Sequence, residues 1–199
     1  MTTHEITEAS LAPENISLNA LKVVRRLNNQ GYQAYLVGGS VRDLMLGHRP
    51  KDFDVATNAR PDQVRELFRN SRSIGKRFKI VHVRFDRDII EVATFRAGIA
   101  NSVVETEKGE GNENHTHEIQ QSESGMLIVD NVYGTIEEDV LRRDFTINAL
   151  YYDTFKDALI DLVDGQRDLK NHTLRLIGDP ESRYREDPVR MLRAVRFKA

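Results

Sequence analysis

The sequence contains no cysteine. That excludes a disulfide framework, a thiolate metal centre and a cysteine nucleophile. No apolar run approaches the ~20 residues of a membrane span. The first residues, Met1-Thr-Thr-His-Glu-Ile-Thr-Glu8, lack the basic-then-apolar order of a secretory signal. No internal repeat is present. The net charge of −2 gives no overall positive excess that would announce a nucleic-acid partner. These absences lead to the expectation of a cytoplasmic protein with no membrane partner.

What is present suits a globular domain. Charged residues make up 30% of the 199 positions and hydrophobic ones 39%. A chain of ~150 residues already buries roughly 70% of its unfolded surface, so a real core is within reach. Charge is unevenly placed: residues 183 to 198 hold six Arg or Lys against two acids. Such a stripe can serve as an electrostatic footprint even on a near-neutral chain.

Taken in order, residues 1–16 read as a flexible polar extension. Ser17 caps a helix running to about Gln30, with Leu18, Leu21 and Leu27 at helical spacing and Gly31 as its stop. Ala34 to Val37 reads as a strand, Gly38-Gly39-Ser40 as a turn into a short helix, and Lys51 to Val55 as a second strand. Pro61 opens a helix over 61–69. Lys79 to Phe85 and Ile89 to Phe95 form a hairpin. Residues 98–125 carry almost no large apolar groups and read as a mobile loop, with His115 and His117 as solvated side chains or a metal pair. Order returns at Met126. Ile136 to Leu141 is predicted helical, a strand reaches Tyr152, and Leu159 to Val163 is another. Asp179 and Asp187 each open a helix. The last one carries Val189, Leu192 and Val195 as an apolar stripe and runs to Ala199 without a stop, which leads to the expectation of a fragment. The layout is a catalytic unit over 17–152, then its remainder and the start of a helical segment over 153–199.

Several residue groups can carry chemistry. Alternation puts Asp52 and Asp54 on one strand face, Phe53 and Val55 on the other. Paired carboxylates repel unless a cation lies between them, so they are either metal ligands or a solvent-exposed strand face. Glu91 and Asp144 compete as a third acid, although Asp144 could instead form a structural ion pair with Arg143. Gly38 and Gly39 are either a plain tight turn or a place where backbone N–H groups approach phosphate, with Arg42 one turn on. Arg42 could equally pair with Asp43 or Asp52. Asp187 and Arg190, at i and i+3, can face the same way and read the edge of one base, or Asp187 can be spent as a helix cap. Arg193 and Arg196 continue that stripe as phosphate contacts or solvated surface.

Five stretches carry a resemblance over about residues 17–199. They are Leu36-Val-Gly-Gly-Ser-Val-Arg-Asp43, Lys51-Asp-Phe-Asp-Val-Ala-Thr-Asn58, Glu91-Val-Ala-Thr-Phe-Arg96, Glu137-Glu-Asp-Val-Leu-Arg-Arg-Asp-Phe-Thr-Ile-Asn-Ala149 and Arg185-Glu-Asp-Pro-Val-Arg-Met-Leu-Arg-Ala-Val-Arg-Phe197. In this order they resemble the class II nucleotidyltransferases of the DNA polymerase β superfamily, which comprise bacterial poly(A) polymerases and CCA-adding enzymes. Lys51 to Ala59, Gly75 to Val83 and the N-terminal extension are more similar to the poly(A) polymerase branch. The resemblance implies an α+β fold: a polymerase-β-like palm with a mixed sheet flanked by helices, leading into an all-α neck. It implies Asp52 and Asp54 as ligands of two Mg²⁺ ions, and Asp144 and Glu91 as further catalytic acids. Gly38, Gly39 and Arg42 would contact the triphosphate, Arg143 the nucleotide, and Asp187 and Arg190 the base, with Arg193 and Arg196 nearby. The implied activity is template-independent addition of AMP from ATP to an RNA 3′ end, with CCA addition to tRNA as the alternative. A non-catalytic nucleotide- or RNA-binding module is the reading from outside enzymology.

Overall fold

The computed structural model describes residue 11 and residues 13–75, 79–86, 88–97, 119–121, 127–130 and 132–198. Its first helix, α1 (Leu18–Asn29), begins as the sequence predicts. Ser17 Oγ accepts from the backbone N–H groups of Asn19 and Ala20 at 3.2 and 3.4 Å. Ala20, Val23, Val24 and Leu27 are buried along one side. Each large side chain so buried is worth about 1.5–3 kcal/mol. Strand β1 (Ala34–Val37), helix α2 (Gly39–Met45), strand β2 (Asp54–Thr57) and helix α3 (Pro61–Leu67) follow. Three strands come next: β3 (Ser71–Ile74), β4 (Ile80–Phe85) and β5 (Asp88–Thr94). A small pair, β6 (Ile119–Gln121) and β7 (Leu127–Asp130), precedes α4 (Ile136–Arg142). After a 3₁₀ turn at Thr146–Asn148 come β8 (Leu150–Asp153), β9 (Ala158–Asp161), α5 (Gly165–Lys170), α6 (Pro180–Glu186) and α7 (Val189–Lys198).

Seven strands form one sheet in the order β3-β4-β5-β2-β1-β8-β9. β2 and β5 are parallel; every other pairing is antiparallel, so the sheet is mixed and the fold α+β. Strand alternation sends Leu36, Val55, Val83, Val92 and Leu150 into the large core beneath α1, α2 and α3. The opposite face carries Val37, Ala56, Ala149 and Tyr151, covered by Val140 and Ile136 of α4. Tyr35, Phe95 and Tyr151 pack there with ring centroids 6.2 to 6.4 Å apart.

Several expectations are corrected. The second strand starts at Asp54, leaving Asp52 ahead of it, because β1 ends opposite Asp54 and then turns into α2. The helix from Pro61 ends at Leu67, not 69, where Phe68 becomes extended. β3 was not anticipated: its Ser-Arg-Ser sequence is polar, and pairing with β4 defines it. The predicted apolar stripe of the last helix does not face the core. Val189, Leu192 and Val195 are 54, 71 and 70% exposed, whereas Arg190 on the packed side is 6% exposed. Leu11 and Ile16 are buried, which ties down the end of the extension read as flexible. Of the stretch read as a loop over 98–125, Ile119–Gln121 form a strand. The remainder, with His115 and His117, lies outside the described residues. The strand read over Leu159 to Val163 is present as Ala158–Asp161 and closes the sheet.

Candidate active site

Register builds the centre of the site. Asp54 and Glu91 lie directly opposite each other on parallel neighbours β2 and β5, so their side chains share a face. Across the other edge of β2, Asp54 pairs with Val37, the residue before the Gly-Gly turn. Asp52 is exposed just ahead, while Phe53 between them is buried in the large core. Burial, then the charges of Glu91 and Asp52, push the Asp54 pKa up to about 6, against the pull of Arg143. A carboxylate crowded in this way gains most from a cation. Glu91 is held by His82 of β4, whose Nε2 lies 3.1 Å from Glu91 Oε1.

The glycine turn adjoins these acids. Gly38 has φ +75° and ψ −133°, a conformation closed to other residues in practice. Its N–H donates to the Leu150 carbonyl at 3.1 Å. A Cβ there would lie 3.6 Å from an Arg143 guanidinium nitrogen, so Arg143 packs on the turn. Arg143 is fixed from three sides. Its Nε donates to Tyr151 Oη at 2.8 Å, one terminal nitrogen to Asp139 at 3.1 Å, and the other to the Asn148 carbonyl at 3.4 Å. Tyr151 Oη donates in turn to Asp139 at 2.6 Å. Of the two acids open to Arg42 as ion-pair partners, it bonds Asp43. Two guanidinium nitrogens lie 2.7 and 2.9 Å from its Oδ1, and a third donates to Asn148 Oδ1 at 2.7 Å. Arg42 also sits over the Phe197 ring of α7, 5.1 Å from its centroid.

A second group gathers where α4 ends and α6 meets α7. Asp144 is buried and does not pair with Arg143. Its Oδ1 accepts from the Phe145 N–H at 2.8 Å, and Oδ2 lies 3.2 Å from Arg193 Nε. The guanidinium of Arg143 is spent on Asp139 and Tyr151 instead. Asp187 and Arg190 do not bond through their side chains. Asp187 lies 3.7 Å from Arg193, while Arg190 donates to Glu186 at 3.0 Å and to the Arg183 carbonyl at 2.6 Å. Nor does the Asp187 side chain cap α7 in any hydrogen bond among the described residues. The Nε of Arg190 is buried and has no hydrogen-bond partner among them. Among the described residues, guanidiniums outnumber carboxylates here. Burial, then Arg96, Arg183 and Arg190, bring Arg142 down to about 9, with Glu186 opposing. Arg196 stands apart, exposed on the wall of an open cleft of about 830 Å³ that Arg42 and Phe197 also line.

Against this geometry, residues 34–175 match the family described as the poly A polymerase head domain. The chain belongs to that family. Poly(A) polymerase I of Salmonella typhi is 57% identical over 190 residues, covering 96% of this chain and 39% of that protein. A CCA-adding enzyme of Lactobacillus helveticus is 40% identical over 183 residues, covering 92% of this chain and 41% of that protein. Among solved structures, the CCA-adding enzyme of Bacillus stearothermophilus in complex with CTP superposes with a TM-score of 0.68 at 34% identity, over 89% of this chain and 38% of that one. The chain thus spans about two fifths of the length of the relatives it matches.

The palm-like architecture implied by the motifs stands. Sequence reasoning passed over Asp139, Asn148, Tyr151, His82 and Glu186, which hold Arg143, Arg42, Glu91 and Arg190. One signal was legible: Asn148 is polar within the otherwise apolar run Ile147 to Leu150. Among the described residues no group of three or more His, Cys, Asp or Glu is arranged for a metal ion. The oxygen-only pair of Asp52 and Asp54 still fits Mg²⁺, which needs one or two carboxylates and completes its octahedron with water and phosphate. No helix among them is long and apolar enough to cross a membrane.

Proposed function

We propose that this chain is the catalytic head of a template-independent RNA nucleotidyltransferase that adds AMP from ATP to RNA 3′ ends and releases pyrophosphate. The observation that carries this reading is the register pairing of Asp54 with Glu91 beside Asp52 and the Gly38 turn. The RNA 3′-oxygen bonds to the α-phosphorus, the bond from that phosphorus to the β-phosphate bridging oxygen breaks, pyrophosphate leaves, and the hydroxyl proton passes to solvent water. Asp52 and Asp54 would hold two Mg²⁺ ions, which supply a lowered hydroxyl pKa and charge neutralisation at the phosphates. Glu91 closes the acidic wall of the site. The Gly38-Gly39 turn admits the triphosphate to the backbone, and Arg143 and Arg42 present charge beside it. Asp187 and Arg190 read the adenine edge, Glu186 orienting Arg190, while Arg193 orients both Asp187 and Asp144. Asp144 acts here through that joint. Arg196 lines the wall of the neighbouring cleft and attracts phosphate.

The higher identity to a poly(A) polymerase I than to a CCA-adding enzyme supports adenylation. The likeness to a CTP-bound CCA-adding enzyme keeps CCA addition as the second reading. Full-length protein incubated with tRNA lacking its terminus, and with ATP, CTP or both, separates them. A-tails from ATP alone are expected, and ordered C, C, A incorporation would overturn the choice. Binding of Mg-ATP without any pyrophosphate release would instead point to a non-catalytic module.

A further inference from the structure

One register row of the sheet crosses from its edge to the candidate catalytic acids. Arg72 of β3 lies opposite His82 of β4, His82 opposite Glu91 of β5, and Glu91 opposite Asp54 of β2. Directly paired residues share a face, so these four side chains stand in line. Arg84, two positions beyond His82, stands on the same face opposite Ile89. Helix α4 covers the other half of this face, over Val37, Ala56 and Tyr151, and among the described residues this half keeps its outer side chains exposed. Arg72 and Arg84 are exposed, and Ile74 and Ile89 are 39 and 41% exposed. Among the described residues neither guanidinium has an ion-pair or hydrogen-bond partner.

The surrounding sequence is the opposite of the chain average. Residues 69–88 contain seven Lys or Arg and two Asp, in a protein of net charge −2. We propose that this open face is the track along which a single-stranded RNA 3′ end reaches the acids, with Arg72 and Arg84 on its phosphates. The proposal rests on the nucleotidyl-transfer reading above. A polyanion approaching Asp52, Asp54 and Glu91 is repelled unless fixed cations stand on its path. Strands lie ~4.8 Å apart, so Arg72 is roughly 14 Å from Asp54, a reach of a few nucleotides. A row of cations that tracks the backbone is the electrostatic part of sequence-tolerant single-strand binding.

The test uses full-length protein with Arg72→Glu/Arg84→Glu, Arg72→Gln/Arg84→Gln and Arg72→Lys/Arg84→Lys. The KM for a single-stranded oligoribonucleotide should rise about tenfold or more in the Glu and Gln pairs and return near wild type in the Lys pair, with the KM for ATP within about twofold throughout. RNA binding without ATP, followed by anisotropy, should have a log–log salt slope shallower by about 1.4 in the Gln pair, at ~0.7 per phosphate. An unchanged RNA KM and slope would overturn the track and turn the basic edge toward an acidic protein partner. A loss shared equally between ATP and RNA would overturn it too. If the wild type transfers no AMP, the function fails. The anisotropy comparison then still decides the track: weaker binding in the Gln pair upholds it, equal binding rejects it.

Discussion

Asp54 and Glu91 sit at the same register of two parallel strands, so the two carboxylates share one face of the sheet. Burial and this neighbour hold the Asp54 pKa at about 6. The arrangement stores repulsion that a bound divalent cation would relieve. Asp54→Asn should therefore act in opposite directions on catalysis and stability. AMP transfer should fall by roughly a thousandfold. The melting temperature of the metal-free chain at pH 7.5 should rise. A lowered melting temperature would mean that the wild-type carboxylate is already compensated.

The same group sets a pH dependence. A folded-state pKa raised above the unfolded one favours the protonated fold. The stability Asp54 contributes is thus complete below about pH 4 and lost as pH rises through about 6. Activity should run the other way and fall below about pH 6, because the proton competes with the metal. Raising the Mg²⁺ concentration should move that limb to lower pH. A limb that ignores Mg²⁺ would assign it to another group.

Asp139 supports Arg143 from beneath by accepting from both its guanidinium and Tyr151 Oη. Tyr151→Phe should cost about 1–3 kcal/mol of stability by denying both partners a bond. Asp139→Asn should raise the KM for ATP by roughly tenfold, about the worth of one charge-assisted bond, while a folded melt is retained. An unchanged KM for ATP in Asp139→Asn would remove Arg143 from the nucleotide site.

Gly38→Ala should destabilise by about 1–3 kcal/mol, since alanine at φ +75° and ψ −133° is strained whatever the space. Urea unfolding of the variant checks this. An unaffected midpoint would mean that the turn relaxes freely and does not hold Arg143 in place.

Local chemistry was legible in the sequence, and long-range pairing was not. The caps at Ser17 and Asp179 were readable because capping is decided within four residues. Alternation around Val55 and Val81 marked two strands and the buried side of each. Nothing local says that β5 runs parallel beside β2, so the Asp54–Glu91 pair came only with the sheet. Asp144 looked like a partner for its neighbour Arg143, yet its counter-ion is Arg193 from α7, since backbone direction at the end of α4 separates the two adjacent side chains. The α7 stripe misled for a similar reason: periodicity finds an apolar side but not what covers it, and buried Arg190 is secured by Glu186 and a carbonyl. β3 owes its existence to β4.

The most direct test of the account is transfer of α-labelled AMP to an RNA 3′ end by full-length protein, wild type against Asp52→Ala, with both melts recorded. The wild type should extend the RNA and release pyrophosphate in step. Asp52→Ala should melt as a folded protein and extend nothing. Full extension by folded Asp52→Ala would contradict the two-carboxylate site.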